Sequence, residues 1–318
     1  METIRSVLIA GAGGIGSSVA WTIHKALPGA VSVLAGGERL ARYRADGFVV
    51  NGERVDFPLV DAASDRKADL VIVACKGHHL SEVIADLRPH VGEETLILSL
   101  LNGISSEEEL GAAFGAWRTP YAMIVGTDAW HSGNVTEFSK TGTIFFGDAE
   151  NRGTGSDRVR AIAEFFDRAG VSYTVPENML NRLWFKFMMN VGINQVTAVL
   201  RQPYRILKTG TRDEGAVSVV DAAMKEVAAI ARAEGIELTD ADRDTVYRTL
   251  DTLGDGGKTS MCQDVEAGRK TEVELFAGKV RELGARHGIP VPVNETLYGL
   301  ITAIERNYSV SRETETTR

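Results

Sequence analysis

A lysine and two asparagines, Lys186, Asn190 and Asn194, stand four residues apart in the otherwise apolar stretch Leu183-Trp184-Phe185-Lys186-Phe187-Met188-Met189-Asn190-Val191-Gly192-Ile193-Asn194. The apolar residues fall on every side of a helical period, which predicts a helix buried all round. The three polar residues then line one slowly drifting stripe on a single face. An ammonium in apolar surroundings is costly unless it is paired, neutralised or used. Used, it is a cation or an acid placed where negative charge develops. The alternative is a Lys186 that snorkels to the surface beside two asparagines bonded to neighbouring backbone. The stripe alone leaves both readings open.

A second constellation opens the chain. Ser6-Val7-Leu8-Ile9-Ala10 reads as a buried parallel strand and runs into Gly11-Ala12-Gly13-Gly14-Ile15-Gly16, with a helix expected to about Ala26. G-x-G-x-x-G between strand and helix permits a tight turn, close backbone approach to a pyrophosphate and close helix–strand packing. The phosphates then meet the N–H groups of a helix N-terminus, so dinucleotide binding is predicted over a merely structural glycine turn. NAD enzymes usually carry Asp or Glu about 20 residues further on, at the end of the second strand. Here that strand, Val31–Leu34, is followed by Ala35-Gly36-Gly37-Glu38-Arg39-Leu40. No carboxylate sits at the tip, and Arg39 and Arg42 are close enough to meet a 2′-phosphate. NADP is therefore favoured, with NAD left open by Glu38.

These residues need elements to position them. Phe48–Val60 reads as a hairpin turned at Asn51-Gly52. Leu70–Ala74 and Leu96–Leu100 read as buried strands, closed by Cys75-Lys76-Gly77 and Leu101-Asn102-Gly103. Ligands sit at the carboxyl ends of strands in open α/β sheets, which places Lys76 and Asn102 for cofactor contact, although either alone could be a solvated loop residue. Short β segments at Tyr121–Val125, Val135–Phe138 and Thr143–Phe146 suggest an antiparallel extension of the sheet, before a helix at Ser156–Ala169 and a strand at Val171–Val175. After Pro176 the pattern is helical: Asn178–Leu200, Gly215–Glu234, Asp240–Thr252, Thr271–His287 and Asn294–Arg306. The expected fold is α/β: an N-terminal Rossmann-type dinucleotide-binding domain (1–175) followed by an all-α C-terminal domain (176–318), with ligand in the cleft between them. Ser260 reads as an N-cap and Glu272 as an ordinary helical acid on spacing alone. His78, His79 and His131 have no metal-ligand spacing, and the polar tail from Ser311 is expected to fray.

Composition removes other classes of function. A formal net charge of −8 over 318 residues argues against nucleic-acid binding and leaves no basic membrane patch. No apolar run approaches the roughly 18 residues of a membrane helix. Two cysteines, Cys75 and Cys262, make no disulfide framework and fit a reducing cytosol, so a cytoplasmic protein is expected.

Assembled in order, these stretches resemble the ketopantoate reductases (2-dehydropantoate 2-reductases) along essentially the whole chain. The resemblance rests on Gly11–Gly16, Lys76, Asn102-Gly103, Leu183-Trp184-Phe185-Lys186 with Asn190 and Asn194, Ser260-Met261 with Gly268-Arg269-Lys270-Thr271-Glu272, and the closing Gly288-Ile289-Pro290-Val291-Pro292-Val293-Asn294 with Leu297-Tyr298. It implies NADPH-dependent reduction of 2-dehydropantoate to pantoate in pantothenate biosynthesis. On that resemblance Lys186 gives a proton to the ketone oxygen, and Asn190 and Asn194 hold the substrate's hydroxyl and carboxylate end. Ser260, with neighbours through Gln263, is a further substrate contact. Glu272 is the acid at the nicotinamide end, and Lys76, Asn102 and Ala129 match cofactor positions. The chemistry of the residues agrees, because hydride transfer to a ketone develops negative charge on oxygen. Aromatic neighbours also predict a Lys186 that releases its proton more readily than a free lysine.

This chain departs from the family pattern in places. NADP-using members commonly carry Arg where it has Gly36, so Arg39 or Arg42 must take over. Tyr204 stands where some relatives have a substrate-contacting Asn, and Trp130-His131-Ser132-Gly133-Asn134 is not the commonest wording. The alternatives are a paralogue reducing another branched 2-oxo acid and a non-catalytic NADP-binding redox sensor. Helical second domains often pair, so a homodimer is the assembly to test.

Overall fold

Four apolar residues with no exposed position form β1 (Val7–Ala10), the pattern of a strand covered on both faces. The computed structural model describes residues 3–153 and 155–308, so the expected fraying from Ser311 lies outside the described residues. It comprises two units, Met1–Leu183 and Trp184–Arg318. In the first, β1 leads through α1 (Gly14–Ala26), β2 (Val31–Ala35), α2 (Gly37–Asp46), β3 (Phe48–Val50), β4 (Glu53–Val55), β5 (Leu59–Asp61), β6 (Ala68–Val73) and α3 (Leu80–Leu87) to β7 (Val91–Ser99). Five strands form a parallel sheet in the order β5-β2-β1-β6-β7. Side chains alternate between its faces. Val7 and Ile9 pack with Val19, Ile23, Phe165 and Phe166, while Leu8 and Ala10 pack with Leu80, Val83 and Leu87. Helices thus cover both faces of a doubly wound sheet, and its order reverses between β1 and β6.

The hairpin at Asn51-Gly52 forms, with φ of 49° and 77° at its two central residues, as a type I′ turn needs. It ends at Val55, short of the expected Val60. Pro58 has no N–H to continue a ladder, and its carbonyl accepts from Val33 N at 2.9 Å. Leu59–Asp61 thereby joins the parallel sheet as an edge strand beside β2.

The chain continues through α4 (Ser106–Phe114), β8 (Tyr121–Val125), β9 (Trp130–Ser132), β10 (Val135–Glu137), β11 (Thr143–Gly147), α5 (Asp157–Ala169) and β12 (Tyr173–Thr174). Contrary to expectation, β8, β10 and β11 do not extend the parallel sheet. β8 and β11 pair antiparallel and take β12 to make a three-stranded sheet, while β10 joins β9, β3 and β4 in another. Alternation along a strand reports its buried face but not its partner, which long-range packing selects.

Helix α6 (Met179–Leu200) starts in the first unit, where Met179 and Leu183 pack on Met123. From Trp184 it belongs to the second, with α7 (Glu214–Ala233), α8 (Asp240–Asp251), α9 (Ser260–Glu266), α10 (Ala277–His287) and α11 (Pro292–Arg306). Gly192 lets α6 approach α7 closely: a Cβ there would lie 2.8 Å from Met224 Cγ and 3.1 Å from Val220 Cγ1. The helix expected over Thr271–His287 is broken. Val273–Leu275 is a short 3-10 turn, and Phe276, fully buried with φ −105° and ψ −94°, leaves helical geometry before α10 begins. Gln195 Oε1 accepts from Ala277 N at 3.2 Å and satisfies one of the donors exposed by that break.

The same Gln195 donates from Nε2 to Asn294 Oδ1 at 3.1 Å, and Asn294 Nδ2 donates to Glu226 Oε2 at 2.7 Å. Glu226 also accepts from the backbone N–H of Val293 and Asn294 at the start of α11. Asn294 is fully buried, so truncation opens a cavity and removes one bond from each partner, leaving Gln195 its bond to Val191 O and Glu226 its two backbone donors. Asn294→Ala is expected to lower unfolding free energy by about 3 kcal/mol, read as a reduced urea midpoint at constant m-value. A change below about 1 kcal/mol would make the network incidental.

Candidate active site

In the first unit the glycines divide the work of one turn. Gly11 has φ 105°, and a Cβ there would lie 2.7 Å from Cys75 N and 2.9 Å from Ala74 O, so β1 turns against the end of β6. At Gly16 a Cβ would fall 1.9 Å from the Gly11 carbonyl oxygen, so only glycine lets α1 close on β1. Gly13, the α1 N-cap, faces open space, with nothing within 4 Å of its Cβ position. No side chain caps α1 and no acid stands in its first turn. Its N–H groups and dipole are therefore available to an anion at the carboxyl ends of β1 and β6. This cradle fits the pyrophosphate of a dinucleotide.

Ala12 is buried, and Ile15 packs against the core of this unit. Ala129 is brought to the turn: a Cβ on Gly14 would lie 3.1 Å from its carbonyl oxygen. Lys76 caps the short 3-10 turn Gly77–His79 just beyond β6. Asn102 follows β7 in a loop held from below, where Ser99 and Ser106 share a hydrogen bond of 2.7 Å and Ser106 donates to buried Glu107 at 3.0 Å.

Beyond β2 lies a cleft of about 780 Å³, lined by Gly36, Arg39, Arg42, Asp61, Glu82 and Asp86 among others. Arg39 meets Glu82 at 3.7 Å. Burial and the neighbouring Glu82 push the Asp86 carboxyl above its ordinary pKa, against the pull of Arg39. Asp61 and the acids of α3 are lining residues that the sequence did not single out. Their apolar-run-then-acid pattern is visible, but their place beside β2 depends on strand order.

In the second unit Lys186 is half-buried, and Asn190 and Asn194 are each 7% exposed. Neither asparagine amide has a hydrogen-bond partner among the described residues, and neither is among the fully enclosed unpartnered groups, so both remain accessible to a ligand or to water. Trp184 and Phe187 meet edge to face at 5.8 Å. Further along α6, Thr197 and Thr259 share a buried hydrogen bond of 2.9 Å. Thr259, and not Ser260, is the N-cap of α9, accepting from Cys262 N at 3.1 Å. The threonine wins because its hydroxyl is already oriented by Thr197. Ser260 is exposed, while the Gln263 amide donates to Lys258 O at 3.2 Å. Glu272 is buried just before the 3-10 turn. Its neighbour Thr271 is pinned by Glu305, which accepts from the Thr271 N–H at 2.7 Å and hydroxyl at 2.5 Å. Cys262 is buried, and burial followed by the Glu266 carboxylate pushes its thiol pKa up, which marks a packing residue.

The capping assignment is testable. Thr259→Ala is expected to lower stability by about 1 kcal/mol, whereas Ser260→Ala leaves the melting temperature in place. A greater loss of stability in the serine variant would return the cap to Ser260.

A doubly wound parallel sheet with a glycine turn at its switch point, followed by a helical unit, defines a dinucleotide-binding protein of the Rossmann type. The comparisons with known proteins agree. Residues 7–151 match the family model described as ketopantoate reductase PanE/ApbA, and residues 178–305 match that for its C-terminal part. An uncharacterized oxidoreductase, YkpB, of Bacillus subtilis is 26% identical over 304 residues, covering 94% of this chain and 98% of that one. A 2-dehydropantoate 2-reductase of Halobacterium salinarum is 29% identical over 315 residues, covering 95% and 99%. Among solved structures, a D-mandelate dehydrogenase with NADH and anilino(oxo)acetate superposes with a TM-score of 0.83 at 22% identity, covering 96% and 99%; at that identity the likeness is one of fold. The chain belongs to the ketopantoate reductase family, as an NAD(P)-dependent enzyme reducing a 2-oxo acid. No helix among the described residues is long and apolar enough to cross a membrane.

Proposed function

We propose that the protein reduces 2-dehydropantoate to pantoate with NADPH, in pantothenate biosynthesis. The observation that carries this reading is the stripe on α6: Asn190 and Asn194 are buried with amides unclaimed among the described residues, on the face that bears Lys186. Two amides suit the hydroxyl and carboxylate of a small hydroxylated 2-oxo acid. The reduced nicotinamide supplies the hydride when it is bound. Lys186 donates a proton from Nζ to the ketone oxygen as negative charge develops there. Asn190 and Asn194 orient the substrate, and Ser260 and Gln263 at the start of α9 complete its enclosure. Glu272, fixed through Thr271 by Glu305, orients the nicotinamide end.

The α1 N-terminus receives the pyrophosphate, with Gly11 to Gly16, Ala129, Lys76 and Asn102 around the cofactor. Arg39 and Arg42, which line the cleft beyond β2, are the cations that a 2′-phosphate of NADPH would meet. We also place the enzyme in the cytosol as a homodimer, consistent with Leu200, Leu253 and Leu300 of the helical unit being exposed; its mass by light scattering tests the assembly.

A second reading has one observation in its favour. Tyr204 stands where some relatives carry a polar contact. A Cβ on Gly257, in the loop leading to Ser260, would lie 2.9 Å from the Tyr204 ring. Such a wall suits a different branched 2-oxo acid. Nicotinamide absorbance is followed with NADPH or NADH and a panel of 2-oxo acids. Highest kcat/KM with 2-dehydropantoate upholds the proposal, and preference for another acid replaces it with the paralogue. Oxidation of neither cofactor with any acid would leave a dinucleotide sensor.

A further inference from the structure

The edge strand of the parallel sheet supplies the carboxylate that the tip of β2 lacks. The β2–β5 ladder sets Asp61 opposite Ala35, and Asp61 lines the cleft with Gly36, Arg39 and Arg42. Asp61 Oδ1 accepts from Ala63 N at 3.0 Å, a local turn that fixes the side chain. Its Oδ2 has no hydrogen-bond partner among the described residues. The same loop gives Gly36 a physical reason. A Cβ at Gly36 would lie 3.1 Å from Ala62 Cβ, so a side chain at the tip would crowd the segment carrying Asp61, which would have to give way by a few tenths of an ångström.

We propose that Asp61 is the cofactor-selecting residue, accepting the adenosine ribose hydroxyls of NADH and opposing the 2′-phosphate of NADPH, so that the enzyme uses both cofactors. This deepens the functional reading above and rests on the cleft receiving the adenosine ribose. Arg39 and Arg42 attract a 2′-phosphate, but Glu38, Asp61, Glu82 and Asp86 share the cleft and outnumber them. A phosphate monoester brings a charge of about −1.5 to −2 into that field. A neutral ribose diol does not suffer this repulsion and gains a charged acceptor.

The test is a fluorescence titration of NADH and of NADPH with the full-length protein, which reads affinity without turnover. Asp61→Asn keeps the acceptor for Ala63 N but removes the charge. It is expected to raise the NADH dissociation constant about tenfold and to lower that for NADPH about threefold. Arg39→Gln is expected to act oppositely, weakening NADPH about tenfold. Asp61→Ser, which also suits the turn, replaces the Asn variant if the latter melts early. Equal movement of both constants in the Asp61 variants, or an unmoved NADH constant, overturns the proposal. If Arg39→Gln also leaves both cofactors as in the wild type, the ribose lies elsewhere, and the cofactor reading of the cleft fails with it.

Discussion

Lys186→Ala is expected to lower kcat by about 10²–10⁴ while the dissociation constant for the reduced cofactor stays within about threefold. The two readouts separate because the role assigned to the ammonium arises only as charge develops on the ketone oxygen. Lys186 is only half-buried and alanine is the stronger helix former, and the melting temperature measured alongside separates any folding loss from the loss of turnover. Lys186→Met preserves the packing of the aliphatic stem and should be as inactive as the alanine variant. Lys186→Arg keeps a cation in place but holds its proton too tightly to give it up. It therefore distinguishes charge stabilisation, which it retains in part, from proton donation, which it loses. An alanine variant working at more than a tenth of the wild-type kcat would remove Lys186 from the chemistry.

The other large effect comes from the glycine turn, where two substitutions of the same size should weaken cofactor binding by different routes, one through the fold and one at the site alone. Gly16→Ala places its Cβ 1.9 Å from the Gly11 carbonyl oxygen and 3.2 Å from Ile9 Cγ2. Backbone must move, so α1 is levered away from β1. A loss of about 3 kcal/mol in stability is expected, with dinucleotide affinity falling as the helix N-terminus leaves its place. At Gly13 the backbone, with φ −83°, accepts any residue, and the added Cβ meets nothing within 4 Å. Gly13→Ala should therefore fold normally. Yet it sets a methyl group where the pyrophosphate must approach the α1 N–H groups, and a fall of about tenfold in cofactor affinity is expected. Calorimetry with cofactor titration measures both. A Gly13→Ala protein that binds dinucleotide as tightly as the wild type would move the pyrophosphate away from this turn.

What was legible from the residues alone is what local geometry dictates. Strand, glycine turn and helix in succession, the Asn51-Gly52 hairpin and the four-residue spacing of Lys186, Asn190 and Asn194 follow from fixed helical and strand periods and from the φ values only glycine and asparagine adopt easily. These features need no knowledge of distant chain. Pairing does. Whether β8 and β11 extended the main sheet or formed their own, where the strand after Pro58 went, and so which acid stood beside the tip of β2, were decided by contacts made across long loops. The cap of α9 fell to Thr259 because Thr197 of another helix reaches it. The helix expected from Thr271 broke at Phe276 because a buried ring and a glutamine from α6 stabilise the break. Residue types and their spacing set which groups could do chemistry and on which local element each stands. Their neighbours came from the packing of distant segments, because hydrogen-bond partners and apolar cover are chosen by the whole packed chain.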